Sequence, residues 1–372
     1  MPGTKIGELA ELGQSIWLDN INRAMIEDGR LQQQIRTGLR GMTSNPSIFD
    51  NSISSSSDYD GAIKELAGKG LSTFEIYDEL TIRDVQDAAD MFRTVYESTA
   101  GLDGYVSLEI NPDLAMKTEE TIEEGRRLHR KVDRPNVMLK VPATDAGFPA
   151  IEELLSEGIN INITLIFSLE QYRKTAESYI RSMKGLIQKG IDPGKVRSVA
   201  SVFVSRVDSA VDKLIDGRLS QDQENETNDK LKALRGKAAV ANSGIIFHEY
   251  NKIFSGEEFQ PLKDKGANIQ RVLWGSTGTK DPGYSDIKYV TELIGKGTVN
   301  TLPDKTLNLF MDHGSVKESL TGDAGEAKDI LDSLNGLGID TDKICLNLLE
   351  DGVVSFQKSF ESLLGSIEKK KG

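Results

Sequence analysis

Eight short apolar runs, several closing on polar residues or proline, recur along the chain with helix-spaced segments between them. They are residues 15–20 (SIWLDN), 41–46 (GMTSNP), 105–110 (YVSLEI), 136–142 (NVMLKVP), 159–167 (ININITLIF), 196–204 (VRSVASVFV), 271–277 (RVLWGST) and 298–303 (TVNTLP). Their length and β-branched content predict buried strands. Between them, the spacing predicts helices over residues 21–39, two between 59 and 98, a Glu-rich one over 117–130 and another over 147–157. Ser168 precedes a further helix as its N-cap. Residues 1–13 read as a helix or an ordered arm, and the serine-rich stretch 51–60 as a polar surface loop. A long helical and polar segment covers 207–265, with a charged stretch at 220–232. After Gly322 come two appended helices, and residues 369–372 are expected to fray.

Strict strand–helix alternation calls for a parallel sheet, and eight repeats closed into a ring make a (β/α)8 TIM barrel. An open doubly wound sheet is the alternative, but no Gly-x-Gly-x-x-Gly follows any strand. The expected fold is therefore an α/β TIM barrel with additional helices and a helical C-terminal extension. It is expected as a single domain over residues 1–372, with a helical insertion at about 207–265 and C-terminal helices at about 322–368.

Composition narrows the chemistry. The formal charge is −13 and the pI about 4.9, which argues against a nucleic-acid partner while permitting local basic pockets. The one cysteine, Cys345, has no partner within the chain for a disulfide, which fits a cytoplasmic location. No apolar run approaches the roughly 18 residues of a membrane span, and the opening segment has no apolar core like that of a signal peptide. Three histidines (His129, His248, His313) without a His-x-His or Cys-x-x-Cys pattern make a metal-free mechanism the expectation.

Lys140 stands out because it lies inside an apolar run. A cation there must reach water, pair with a carboxylate, or lose its proton. A neutral lysine amine is the nucleophile that Schiff-base chemistry needs, whereas a structural ion pair is the plainer reading. In a barrel, chemistry gathers at the C-terminal strand ends. The polar residues there are Asp19, Asn45, Glu109, Lys140, Asn162, Thr164, Ser201, Arg206 and Thr277. Singly, each has a structural explanation, such as capping by Asp19, a turn at Asn45, or strand propensity for Thr164. Together they assemble an amine, two carboxylates and neutral hydrogen-bonding groups, a set suited to carbonyl chemistry on sugars.

The ordered motifs Thr43-Ser-Asn45-Pro-Ser, Leu139-Lys140-Val-Pro-Ala-Thr, Gly158-Ile-Asn-Ile-Asn162-Ile-Thr164-Leu-Ile-Phe167 and Ser201-Val-Phe203-Val-Ser-Arg206-Val-Asp208 resemble those of the transaldolases, in particular their longer bacterial branch. The resemblance spans the barrel from the first strand to the eighth. It implies a cofactor-free, class I aldolase mechanism that moves a dihydroxyacetone unit from sedoheptulose 7-phosphate to glyceraldehyde 3-phosphate. It further implies that Lys140 forms the imine, that Asp19 handles the C4 hydroxyl proton, and that Glu109 with Thr164 positions a relaying water. Asn45 and Asn162 would hold hydroxyls, Ser201 and Phe203 would complete the pocket, and Arg206 would bind phosphate. In many relatives the seventh strand brings a serine and a second arginine. Here Thr277 falls at the serine position and Thr279 at the arginine, with Lys280 adjacent as the substitute cation, unless it is a surface lysine beside Asp281. The implied partners are phosphorylated sugars, and a monomer or homodimer is the default. An aldolase that releases free dihydroxyacetone from fructose 6-phosphate, and a barrel that binds phosphosugars without turnover, are the competing readings.

Overall fold

All eight apolar runs form strands in the computed structural model, which describes residues 3–219 and 226–371. They are β1 (Ser15–Asp19), β2 (Gly41–Thr43), β3 (Tyr105–Glu109), β4 (Val137–Pro142), β5 (Ile161–Ile166), β6 (Ser198–Phe203), β7 (Arg271–Gly275) and β8 (Val299–Leu302). Each pairs in parallel with the next, and β8 pairs with β1, so the sheet closes into a barrel in sequence order. Helices separate the strands, as the alternation requires.

The period of two along each strand divides its side chains between two environments. Ile16 and Leu18, Leu139 and Val141, and Val272 and Trp274 join the core between barrel and helices. Residues of the opposite parity on the same strands, Trp17, Met138 and Leu273, meet Tyr105, Val199 and Val299 in a second apolar cluster inside the barrel. Gly41 makes room for this layer, since a Cβ there would come within 2.6 Å of the Trp17 indole. Below it, Arg271 pairs with Asp103 at 2.7 Å and donates to Ser15 Oγ at 2.9 Å, while Ser15 donates to Asp103 at 2.8 Å. This buried polar plug closes the N-terminal end of the barrel. The layer above the apolar cluster carries Thr43, Glu109, Lys140, Asn162 and Ser201.

Four local expectations need correction. The stretch 51–60 is not a loop throughout, because the helix Pro46–Ser55 runs into it. Asn45 caps that helix by accepting from the Ile48 amide at 3.1 Å, Pro46 starts it, and Phe49 and Ile53 share its buried face. Residues 21–39 form two helices, Arg23–Glu27 and Arg30–Thr37, separated at Gly29 with φ +85°. Three helices rather than two lie between 59 and 98: Asp60–Gly68, Thr73–Met91 and Arg93–Ser98. The chain end does not fray through 369–371, because the last helix, Thr341–Lys371, is tied down there. Lys370 pairs with Asp60 at 2.7 Å and donates to the Ser56 carbonyl at 2.6 Å.

The helical segment after β6 comprises Ser205–Leu219, Glu226–Leu234, Ala238–Phe254 and Gln260–Asp264, with residues 220–225 of the expected charged stretch outside the described residues. The tail after Gly322 forms two helices, Gly325–Gly336 and Thr341–Lys371. The latter, about 46 Å long at 1.5 Å per residue, packs along Pro46–Ser55, where the Ser47 and Ser359 hydroxyls are 2.7 Å apart and Ser366 donates to Asp50 at 3.0 Å. Among the described residues no helix is long and apolar enough to cross a membrane.

Candidate active site

Because Leu139 and Val141 face the helices, Lys140 faces inward, where it is 4 % exposed. Its Nζ lies 2.8 Å from Glu109 Oε2 and donates to the Ser44 carbonyl at 3.0 Å. Glu109 is its register partner on the neighbouring strand, so the pairing follows directly from β3 lying beside β4. Asp19, at the end of β1, accepts from Thr43 Oγ1 at 2.7 Å, and Thr43 in turn shares a 2.7 Å hydrogen bond with Thr301. Burial raises both carboxyls above their ordinary values, outweighing the opposing pull of Lys140. For Asp19 the nearby Asp304 pushes in the same direction as burial.

These groups form one wall of a cavity of about 470 Å³ at the C-terminal strand ends. Asp19, Asn45, Lys140, Thr164, Ser201 and Phe203 all line it. Ser201 donates to Asn162 Oδ1 at 2.5 Å, and Asn162 Nδ2 donates to Ser107 at 3.1 Å, so the amide is fixed in orientation just behind the lining. The Thr164 hydroxyl is buried with no hydrogen-bond partner among the described residues, leaving its hydrogen-bonding capacity for whatever occupies the cavity.

The opposite wall is cationic. Arg206, in the first turn of Ser205–Leu219, holds its guanidinium 5.3 Å from the centroid of the Phe203 ring. Lys280 lines the same end of the cavity. Burial lowers the pKa of both, and for Lys280 the Arg206 charge adds to the effect. Neither has an ion-pair partner within 4 Å among the described residues. Asp281, the acid beside Lys280 in sequence, is instead bound by Arg235 at 2.7 Å. Two cations without ion-pair partners among the described residues, the half-buried Arg206 and the exposed Lys280, make a site ready for a dianion such as a phosphate. No group of three or more His, Cys, Asp or Glu side chains among the described residues is arranged to hold a metal ion.

Residues 16–367 match the family model described as transaldolase/fructose-6-phosphate aldolase. The chain belongs to the transaldolase/fructose-6-phosphate aldolase family. A protein named transaldolase from Trichodesmium erythraeum is 44 % identical over 366 residues, covering 98 % of this chain and 96 % of that protein. One named transaldolase 2 from a Nostoc species is 42 % identical over 367 residues, with the same two coverages. A transaldolase of Saccharopolyspora erythraea is 43 % identical over 363 residues, 97 % of this chain and 96 % of its own.

For this transaldolase/fructose-6-phosphate aldolase family member, the barrel brings together nearly all the residues singled out in the sequence. Glu109 and Asn162 stand one contact behind the cavity lining, bonded to Lys140 and Ser201 respectively. Thr277 is the exception. It is fully buried and its hydroxyl donates to Asn300 Oδ1 at 3.0 Å and to the Thr301 carbonyl at 3.1 Å, away from the lining. Ser276 lines the cavity in its place. Its left-handed φ of +53° just after β7 ends breaks the alternation that the sequence motif assumes. The sequence reading also missed Asp304, to which Asn20 donates, and Phe356 from the C-terminal helix. The first sits only two residues beyond β8, where a strand-end search would find it. The second carries no local signal at all.

Proposed function

We propose that this chain transfers a dihydroxyacetone unit from sedoheptulose 7-phosphate to glyceraldehyde 3-phosphate, giving erythrose 4-phosphate and fructose 6-phosphate, through an imine on Lys140. The observation that carries the reading is the buried amine of Lys140 held 2.8 Å from Glu109 on the floor of a cavity that also contains Asp19. The transaldolase names of relatives aligned over nearly the full chain support transfer rather than release. The reading takes residues 1–372 as one barrel domain working in the cytoplasm, with phosphorylated sugars as its ligands.

In this scheme Glu109 takes a proton from Lys140, and its burial-raised pKa favours that step. The freed amine attacks the ketose C2 carbonyl. A water held by Glu109 and Thr164 then carries the protons needed to expel hydroxide as water and form the imine. Asp19 accepts the C4 hydroxyl proton as the C3–C4 bond breaks, and returns it to the new alkoxide when the acceptor aldehyde adds. Asn45, Ser201 and Phe203 surround the three-carbon unit, with Asn162 fixing Ser201 from behind the lining, and Arg206 with Lys280 takes the phosphate. Thr277 acts only by bracing the ends of β7 and β8.

Borohydride reduction in the presence of fructose 6-phosphate, followed by peptide mass spectrometry, tests the central step. An adduct on the peptide containing Lys140 is the expected result. A folded protein that binds the sugar and gives no adduct sinks the reading. The family description also names fructose-6-phosphate aldolase, so a second assay omits the acceptor: fast release of free dihydroxyacetone favours that activity.

Two further outcomes follow from the site. Arg206→Ala and Lys280→Ala each remove a charged hydrogen-bond donor worth about 1.5–3 kcal/mol, and should raise KM for phosphorylated ketoses by about 10- to 100-fold with a smaller change in kcat. Steady-state kinetics with and without the phosphate on the sugar would reveal it, and equal effects on both substrates would remove the phosphate role. The acid limb of the pH–rate profile belongs to Asp19, whose ionised form is the base. Thr43→Val removes a hydrogen bond that favours the carboxylate, so the Asp19 pKa rises and the limb moves to higher pH. A limb that stays in place would assign it to another group.

A further inference from the structure

One side chain in the cavity wall comes from outside the barrel and has no part in the scheme above. Phe356 belongs to the helix Thr341–Lys371, lines the cavity and is 6 % exposed. Lys140 Nζ lies 5.8 Å from its ring centroid. An apolar ring is thus set beside the atom that forms the imine.

The ring is anchored on both sides along its helix. One turn earlier, Gly352 passes so close to β5 that a Cβ would come within 3.0 Å of Leu165 Cδ2 and 3.7 Å of the Arg206 guanidinium. Leu165 itself has φ +58°, at the point where β5 slips register against β6. One turn later, Ser359 meets Ser47 and Phe360 packs edge-on against Tyr77 with centroids 5.1 Å apart. Contacts at positions 352, 359 and 360 therefore fix the height of Phe356 over the cavity. No residue of the 207–265 segment lines the cavity among the described residues.

The chemistry gives such a ring a task. After C3–C4 cleavage the three-carbon fragment stays on Lys140 as an enamine. Addition of its C3 to an acceptor aldehyde makes the new carbon–carbon bond, with the Asp19 proton passing to the new alkoxide. Alternatively C3 takes that proton and forms an iminium. Water then adds to C2, the C2–N bond breaks, and free dihydroxyacetone and the Lys140 amine are released, one water being consumed overall. The two routes part at the enamine, where C3 takes either an aldehyde carbon or a proton, and hydrolysis at C2 closes both: on the first route water frees the new ketose only after the carbon–carbon bond is made. An apolar group that keeps water from the three-carbon fragment while the acceptor is absent therefore suppresses early protonation and hydrolysis more than it slows transfer.

We propose that Phe356 is a specificity-determining residue that sets the partition of the Lys140-bound fragment between transfer and hydrolytic release. The proposal rests on the Schiff-base reading above. The test compares release of free dihydroxyacetone from fructose 6-phosphate without acceptor against transfer to erythrose 4-phosphate, in the full-length protein and in Phe356→Ala and Phe356→Leu. The ratio of release to transfer should rise by about tenfold or more in Phe356→Ala and by less in Phe356→Leu. It is a ratio of two activities of the same active molecules, so a reduced folded fraction does not move it. An unchanged ratio in both variants overturns the proposal, as does an unchanged ratio in Phe356→Leu should the alanine variant not fold. The parent reading fails separately, by the absence of a borohydride-reducible adduct in the unsubstituted protein.

Discussion

Lys140→Met should abolish the borohydride-trapped adduct and lower transfer activity by at least about 10⁴-fold, since no other amine can replace a covalent nucleophile at that point. The protein should nevertheless fold near neutral pH. Removing one partner of a buried ion pair is usually severe because it strands a charge. Here the stranded group is Glu109, whose carboxyl burial already pushes upward, and loss of Lys140 removes the main force holding it down. It therefore takes up a proton, and methionine fills the space of the lysine stem. The sign of the pH dependence follows. The unfolded chain releases the Glu109 proton in the ordinary carboxyl range, whereas the folded variant keeps it to higher pH. Stability therefore falls as pH rises through that window. Urea unfolding at several pH values measures this, and a variant whose stability rises with pH across the same window contradicts the protonation argument.

Asp19→Ala separates bond cleavage from imine formation. Lys140, Glu109 and Thr164 remain, so ketose should still give a reducible adduct on Lys140. The C3–C4 bond should break about 10³-fold more slowly, within the usual 10²–10⁴ contribution of a general base. Thr43 loses its acceptor at Asp19 but keeps its hydrogen bond to Thr301, so the wall stays in place. Rapid-quench measurement of erythrose 4-phosphate from sedoheptulose 7-phosphate, alongside adduct yield, distinguishes the steps. Unchanged cleavage would remove Asp19 from the scheme, and loss of the adduct would move it to an earlier step.

The barrel was legible because each strand is buried on both faces and so reads as an apolar run, and Lys140 was legible because it violates such a run. Arg206 and Asn162 came from motifs that keep their spacing from a strand end. The misreadings occur where local pattern and three-dimensional placement part. The serines of 51–55 suggested a loop, but a capped first turn at Asn45 and a long partner helix far along the chain make that segment helical. Thr277 was assigned by counting along β7, and the left-handed turn at Ser276 shifts which side chain meets the cavity. Lys280 carried two readings in sequence, a substitute phosphate-binding cation or a surface lysine beside Asp281; Arg235 occupies that acid, and Lys280 lines the cavity. Phe356 joins the site only through tertiary packing, for which no spacing rule exists.

The plug of Arg271, Asp103 and Ser15 beneath Trp17 has a consequence for the order of events. With the barrel axis filled below Lys140, sugars approach the amine from the C-terminal side alone. A cavity of about 470 Å³ that already holds the three-carbon fragment offers one space beside Asp19, shared by the departing and arriving aldehydes. On the proposed Schiff-base scheme the first aldose leaves before the second enters, the loaded lysine waits between two half-reactions, and donor and acceptor do not meet on the protein. Traffic through a single mouth, rather than a ternary complex, sets how the fragment is exchanged.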